Sequence, residues 1–285
     1  MFRKKQDGCL IINKEQTVMR STILVFLLLL SCSSFAQLRF ERLELKPNEV
    51  YQIKESDILV IDELIMHDSS VIVLNHDKKD NFIHAKKIVL GKGCRIDGLG
   101  ENGNKGKPGL RGIHGEGPCR DGYAGRDGTG GSHGSDGINL FLYFNEITVK
   151  GAWLIDLRGG NGGDGGNGGE GGGGNAGTRV CKGGTGGNGG NGSTGGNGGN
   201  GGSLTLSCKV CTDLRGIVNE SINASVYAGS PGQGGNGGAG GSAGLNPLGN
   251  TTLDGKVGSK GKPGQPGVAG KKGAVNLEQT TAVAN

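Results

Sequence analysis

The stretch GGNGGDGGNGGEGGGGNAG, residues 159–177, has glycine at every third position, and the same period returns over residues 183–201. Most triplets read Gly-Gly-X, where X is usually asparagine, aspartate or glutamate. Three residues per turn is the period of an extended polyproline or polyglycine II helix, whereas an α-helix has 3.6 and a β-strand two. Glycine at two of three positions leaves two faces of such a helix without side chains, so other backbones can pack closely against it.

Two further stretches share this period, and each of the three has one break near its middle. They cover residues 100–137, 159–201 and 229–273, with breaks at 116–121, 178–182 and 245–254. Arms of similar length around a break predict three out-and-back hairpins, hence six extended helices. The helices of the second hairpin have two faces without side chains, which predicts a position between the other two hairpins. Buried peptide groups need partners, so neighbouring arms should exchange backbone hydrogen bonds.

Short pairs of alternating apolar residues predict β-strands before and between the glycine stretches. They begin with Leu59/Ile61 and recur with an offset of 59 residues, which places Ile88 on Ile147 and Ile96 on Ile155. Repeated short strands, each followed by an excursion, are typical of stacked β-rungs. Trp153, Phe141 and Phe144 are interpreted as core residues rather than as a sugar-binding platform.

The predicted fold class is therefore mostly β and irregular, with β-solenoid-like rungs of short strands from which three polyglycine II hairpins form a bundle. The predicted organisation is a leader at 1–36, a β-strand base at 37–99, a hairpin bundle at 100–274 and a tail at 275–285. Two β-rungs, at 138–158 and 203–228, interrupt the bundle.

The leader has the features of a secretory signal peptide. Arg20 precedes an apolar run, and Ser34-Phe35-Ala36 fits a cleavage site. Residues 1–18 are interpreted as an upstream mis-start before Met19. The alternative is lipidation of Cys32, which would anchor the protein in the outer membrane. Both alternatives predict a secreted, extracellular or outer-membrane-surface location.

Composition limits the classes of partner. Glycine contributes 63 of 285 residues, and the net charge is +5, of which +3 lies in residues 1–36. A remainder of about +2 does not indicate a nucleic-acid partner. The histidines show no metal-ligand spacing and no nucleophile–base pair is visible, so the sequence predicts no enzyme, cofactor or metal.

The paired Gly-Gly-X and Gly-X-X arms resemble the polyglycine II bundles of springtail glycine-rich antifreeze proteins and of phage tail-fibre adhesin tips. They also resemble secreted bacterial proteins that are described as glycine-rich or collagen-like. The resemblance covers about residues 98–274 and lies in the repeat, so it implies a fold more directly than an activity.

Five cysteines follow the leader, and secretion permits disulfides. Cys119 and Cys181 lie in the breaks of the first two hairpins, so stacked hairpins would bring them together. Cys94 could pair with Cys208 or Cys211, and the CxxC of the last two is interpreted as structural. The odd number leaves one thiol unassigned.

The leading functional expectation is a structural and adhesive surface protein that binds an unknown surface glycan or protein. Loops on a rigid scaffold are common binding elements, so the breaks supply the contact candidates. These are Arg120, Asp121, Arg179, Lys182, Asn246, Asn250 and Thr251, together with the apolar Leu245 and Leu248 of the third break. The alternatives are an ice-binding protein and a collagen-like trimeric stalk, although a monomer is favoured because the chain has only 7 prolines.

Overall fold

The computed structural model describes residues 37–211, 213–249 and 251–279. The leader expected over residues 1–36, with its lipidation candidate Cys32, lies outside the described residues. So do the contact candidate Asn250 and the last six residues of the chain.

The regular secondary structure consists of two parallel β-sheets with 11 strands. Sheet A contains β1 (Leu38–Leu45), β3 (Ile58–Met66), β5 (Asp80–Leu90), β7 (Asn139–Val149), β9 (Leu204–Cys208) and β11 (Val275–Gln279), in that order. Sheet B contains β2 (Val50–Gln52), β4 (Val71–Val73), β6 (Arg95–Asp97), β8 (Trp153–Asp156) and β10 (Ile222–Ser225). The described helical elements are α1 (Leu214–Ser221) and a 3-10 turn at Thr251–Leu253.

The predicted fold class is wrong. Two parallel sheets form the regular structure, in place of a bundle of six polyglycine II helices on small rungs. The glycine stretches are connections between strands, and outside the 3-10 turn their described residues have neither helix nor strand. The physical reason is that apolar residues alternate along the strands from Leu38 to Leu277, so the burial of their side chains organises the whole described chain.

Consecutive strands alternate between the two sheets, and each pairs in parallel with the strand two places along the chain. Ile88 of β5 pairs with Ile147 of β7, and Ile96 of β6 pairs with Ile155 of β8. The 59-residue offset is thus the register of neighbouring strands. The same stacking places Leu59, Ile83, Leu142 and Leu206 in one fully buried row of sheet A.

One buried cluster draws its side chains from both sheets. Trp153 of β8 and Phe144 of β7 belong to it, as the sequence predicts. The prediction for Phe141 is wrong, because this ring is half-buried and stacks on Phe82, outside the buried cluster. Side chains alternate along β7, so Phe141 and Phe144 face opposite sides of the sheet.

Three glycine-rich connections, residues 98–138, 157–203 and 226–274, each lead from a strand of sheet B to the next strand of sheet A. Their backbones are hydrogen-bonded to one another at every third residue. The Gly103 N–H donates to the Asn161 carbonyl at 2.7 Å, and the Gly162 N–H donates to the Ser230 carbonyl at 2.9 Å. The second connection is bonded in this way to both the first and the third.

The glycine period follows from how closely these backbones approach. A Cβ added to Gly131 would lie 2.0 Å from the Gly163 carbonyl oxygen, which is far inside van der Waals contact. A Cβ added to the preceding Gly130 would find its nearest neighbour, the Thr194 carbonyl oxygen, at 3.7 Å. Glycine is therefore required at position 131 and not at position 130.

Asparagine at the X positions has a separate role. The side-chain Oδ1 atoms of Asn161, Asn191 and Asn197 accept hydrogen bonds from the N–H groups of Ser230, Lys262 and Val268, each at 2.9 Å. These side chains supply acceptors for N–H groups between the backbone-bonded glycines. The short amide side chain thus completes the hydrogen bonding between connections.

Candidate functional site

The breaks of the three connections form adjacent loops, which we call the tip loops (residues 116–121, 178–182 and 245–254). A disulfide joins Cys119 to Cys181, with 6.1 Å between the Cα atoms. The Cys119 N–H donates to the Ala176 carbonyl at 2.9 Å, and the Asn246 side-chain amide donates to the Thr178 carbonyl at 3.2 Å. Covalent and hydrogen bonds therefore fix the three loops to one another.

Most of the described contact candidates are exposed on the tip loops. These are Arg120, Asp121, Arg179, Lys182 and Thr251. Asn246 is only 5% exposed, and its Oδ1 accepts the Leu248 N–H at 3.0 Å. The side chain of Asn246 is buried and stabilises the loop, so it is not available for contact with a partner.

Sequence reasoning included two apolar residues of the tip loops, Leu245 and Leu248, but missed Val180. Val180, Leu245 and Leu248 are between 59% and 93% exposed. Apolar residues inside otherwise polar loops were the available signal. Together with the charged candidates they give these loops a mixed apolar and polar surface, which is the composition of many protein-binding surfaces.

The remaining cysteines do not pair at the base of the connections as the sequence suggested. Cys208 bonds to Cys211, three residues away, and Cys94 has a free, buried thiol. Its sulfur lies 3.4 Å from the Met66 carbonyl oxygen, and burial raises the pKa of this thiol. Cys94 is therefore a small core residue.

Removing the tip disulfide should destabilise the protein measurably. The Cys119→Ser/Cys181→Ser variant should lose about 3 kcal/mol, because this bond closes a long loop in the unfolded chain. Denaturant unfolding of native and variant protein measures the difference. The control is Cys208→Ala/Cys211→Ala, whose bond closes a loop of only three residues and whose alanine keeps the buried position 208 apolar. An equal loss in both variants would contradict the loop-length argument.

The outward face of sheet A carries a second candidate surface. In register across the strands lie Arg39, Val60, His84, Tyr143 and Ser207. The rings of His84 and Tyr143 stack with centroids 4.5 Å apart, and Phe82 and Phe141 in the next outward row stack at 4.8 Å. Burial lowers the pKa of His84, which favours its neutral form near pH 7.

Open grooves with basic side chains lie at both ends of these stacked rings. One, of about 450 Å³, is lined by Arg39, Asp62, Lys86 and Lys209 among others. The other, of about 340 Å³, is lined by Lys79, Asp136, Lys271 and Lys272 among others. His84 and Tyr143 also line the first groove, and Phe82 and Phe141 lie between the two grooves. We call the two grooves and the four rings the basic–aromatic face.

The carboxylates of the basic–aromatic face are already engaged within the protein. Asp62 pairs with Lys86 at 3.0 Å, and Asp136 accepts the Asn200 N–H at 2.7 Å. Among the described residues, Arg39 and Lys209 make no ion pair. Each groove thus has three cationic side chains against one carboxylate.

Sheet B brings two carboxylates together in register, Asp97 and Asp156. Each bonds to an arginine two residues away on or beside its own strand, Arg95 and Arg158 respectively. Burial raises the pKa of Asp156, but the hydrogen bonds from Arg158 outweigh it and hold this pKa below its ordinary value. An ionised, arginine-bound carboxylate is a poor proton donor, so this pair does not have the character of an acid–base dyad.

Among the residues that the structure describes, no group of three His, Cys, Asp or Glu side chains could hold a metal ion. No helix within those residues has the length and apolar character needed to cross a membrane.

Comparisons with known proteins show no family. No family model matches the chain, and no curated protein matches it. One solved structure is similar: a springtail antifreeze protein from Granisotoma rainieri, described as a bundle of nine polyproline type II helices. It is 26% identical, over 59% of this chain and 94% of the other, with a TM-score of 0.12. A TM-score that low does not indicate a shared fold. The resemblance to such bundles that the repeat suggested is therefore unsupported.

Proposed function

We propose that the protein is a secreted or cell-surface structural and adhesive protein that binds through its tip loops and has no catalytic activity. The observation that carries the proposal is the set of exposed apolar and charged side chains on these loops. Val180 is the most exposed of the apolar ones, at 93%. A large apolar side chain in water gains free energy when a partner covers it.

The fixed geometry of the tip loops favours binding over a flexible-linker role. The Cys119–Cys181 disulfide and the backbone bonds between loops restrict them before any partner arrives. A restricted loop loses less conformational entropy on binding, which increases affinity. The two disulfides also support an extracytoplasmic location, because disulfides persist in oxidising compartments.

Binding of the labelled protein to intact cells and to a glycan array tests the proposal. The triple variant Val180→Ser/Leu245→Ser/Leu248→Ser should bind at least about tenfold more weakly, because it removes the apolar side chains that a partner would cover. The control variant Leu110→Ser/Ile113→Ser/Val257→Ser removes similarly exposed side chains from the glycine connections.

The controls decide between three results. Loss in the tip variant alone supports binding through the loops. Equal loss in both variants would mean that general surface hydrophobicity causes the binding. Absence of binding by the native protein to every cell type and glycan would overturn the adhesive function.

A further inference from the structure

We propose that the basic–aromatic face of sheet A is a second binding site, which takes an acidic polysaccharide. The site is separate from the tip loops and does not depend on the function proposed for them. Its ligand class is a sugar chain with carboxylate or sulfate groups. The spacing of the cations, the orientation of the rings and the internal pairing of the carboxylates all favour such a ligand.

The two grooves lie at opposite ends of the same side of sheet A. On β7, Asn139 lines one groove and Asn145 the other, and both have the outward parity of Phe141 and Tyr143. Six residues of strand separate them by about 20 Å. A single extended ligand of several sugar units can therefore reach the cations of both grooves.

The charge of the face is complementary to an anion. Arg39 and Lys209 at one end, and Lys271 and Lys272 at the other, are all exposed. The carboxylates that line the grooves are already engaged, Asp62 by Lys86 and Asp136 by a backbone N–H. An acidic ligand therefore meets cations without displacing an internal partner, except at Lys86 and at Lys272, whose ammonium lies 5.0 Å from the centre of the Tyr227 ring.

The stacked rings favour sugar over nucleobases. Both ring pairs are close to parallel, with interplanar angles of 13° and 16°, so their faces contact each other. One face of each ring is thus covered by its neighbour and is not available to stack on a base, which is how nucleic-acid-binding proteins use aromatic residues. Ring edges carry partial positive charge and suit the oxygen atoms of sugar hydroxyls and carboxylates.

The charge density points the same way. Each groove has three cations and one carboxylate, and the grooves are about 20 Å apart. Double-stranded DNA carries one negative charge per about 1.7 Å of axis, far more than this face could neutralise. A polysaccharide whose acidic groups are separated by whole sugar units has a lower charge density and matches this face better.

Titration of the purified protein with polygalacturonate (carboxylated) and heparin (sulfated) tests the site, with dextran as the neutral polymer. The Arg39→Glu/Lys209→Glu variant should bind about tenfold more weakly, since it replaces two attractive charge contacts by repulsive ones. The control Lys256→Glu/Lys260→Glu makes the same change of net charge at exposed lysines of the third connection. It should bind like the native protein.

Each possible result either supports the site or overturns it. Equal weakening in both charge variants would show attraction to the whole surface and overturn the site. Absence of native binding to both acidic polymers, or tighter binding to an oligothymidylate than to either, would overturn the choice of ligand. A preference between polygalacturonate and heparin would distinguish carboxylate from sulfate. The tip-loop variant should bind both polymers normally, so the two proposals can fail separately.

Discussion

The Gly131→Ala variant is expected to be about 4 kcal/mol less stable than the native protein, because its new Cβ would overlap a backbone oxygen. That Cβ would lie 2.0 Å from the Gly163 carbonyl oxygen and 2.6 Å from its carbon. Neither atom can rotate away, unlike the end of a side chain. The connections must separate, which also strains the hydrogen bond from the Gly131 N–H to the Thr194 carbonyl at 3.0 Å.

The neighbouring residue provides the control. The Gly130→Ala variant should be unchanged or up to about 1 kcal/mol more stable, because its Cβ meets only ordinary contacts and alanine restricts the unfolded chain. Chemical unfolding of the three proteins by circular dichroism measures the difference. Equal stability of the two variants would show that the connections are not packed at the observed distances.

Position along the triplet thus decides which glycines are structural, and this much was readable from the sequence. The period of three predicted that other backbones would approach at fixed positions. The sequence did not reveal why X is so often asparagine. The Oδ1 of Asn197 accepts an N–H from Val268, 71 residues further along the chain, and such a partner exists only after the connections are placed side by side.

For the strands too, the sequence predicted which residues pair but not the sheets that the pairs form. The offset of 59 residues predicted that Ile88 would lie beside Ile147, and these two residues are paired. It did not predict that the strands would form the two main sheets, because the glycine stretches outnumber them in residues. Burying apolar side chains from both sheets nevertheless contributes the free energy that organises the fold, although the strands contain fewer residues than the glycine stretches.

For the candidate sites, sequence reasoning found the loops but not the sheet face. The breaks in the glycine period located the tip loops directly. The basic–aromatic face depends on which side of sheet A each residue occupies. That information was present in β7, where Leu140, Leu142 and Phe144 are buried and Phe141 has the opposite parity. Assigning Phe141 to the core concealed it.

The second large effect is expected at Trp153, which is fully buried in the cluster between the sheets. The Trp153→Ala variant should lose about 4 kcal/mol of stability, because it removes the largest buried side chain and leaves a cavity. Trp153 begins β8 and pairs with Ile222 of β10, so the cavity would open where two strands of sheet B meet. Thermal and denaturant unfolding measure the loss.

The Trp153→Phe variant separates the size of the side chain from its polar group. Within the described residues, the indole Nε1 is buried without a hydrogen-bond partner. Phenylalanine therefore removes volume but no hydrogen bond, and it relieves the cost of burying an unpaired N–H. We expect Trp153→Phe to lose less than half of what Trp153→Ala loses. A loss as large as that of the alanine variant would mean that the indole N–H has a bonding partner in solution, such as a buried water molecule.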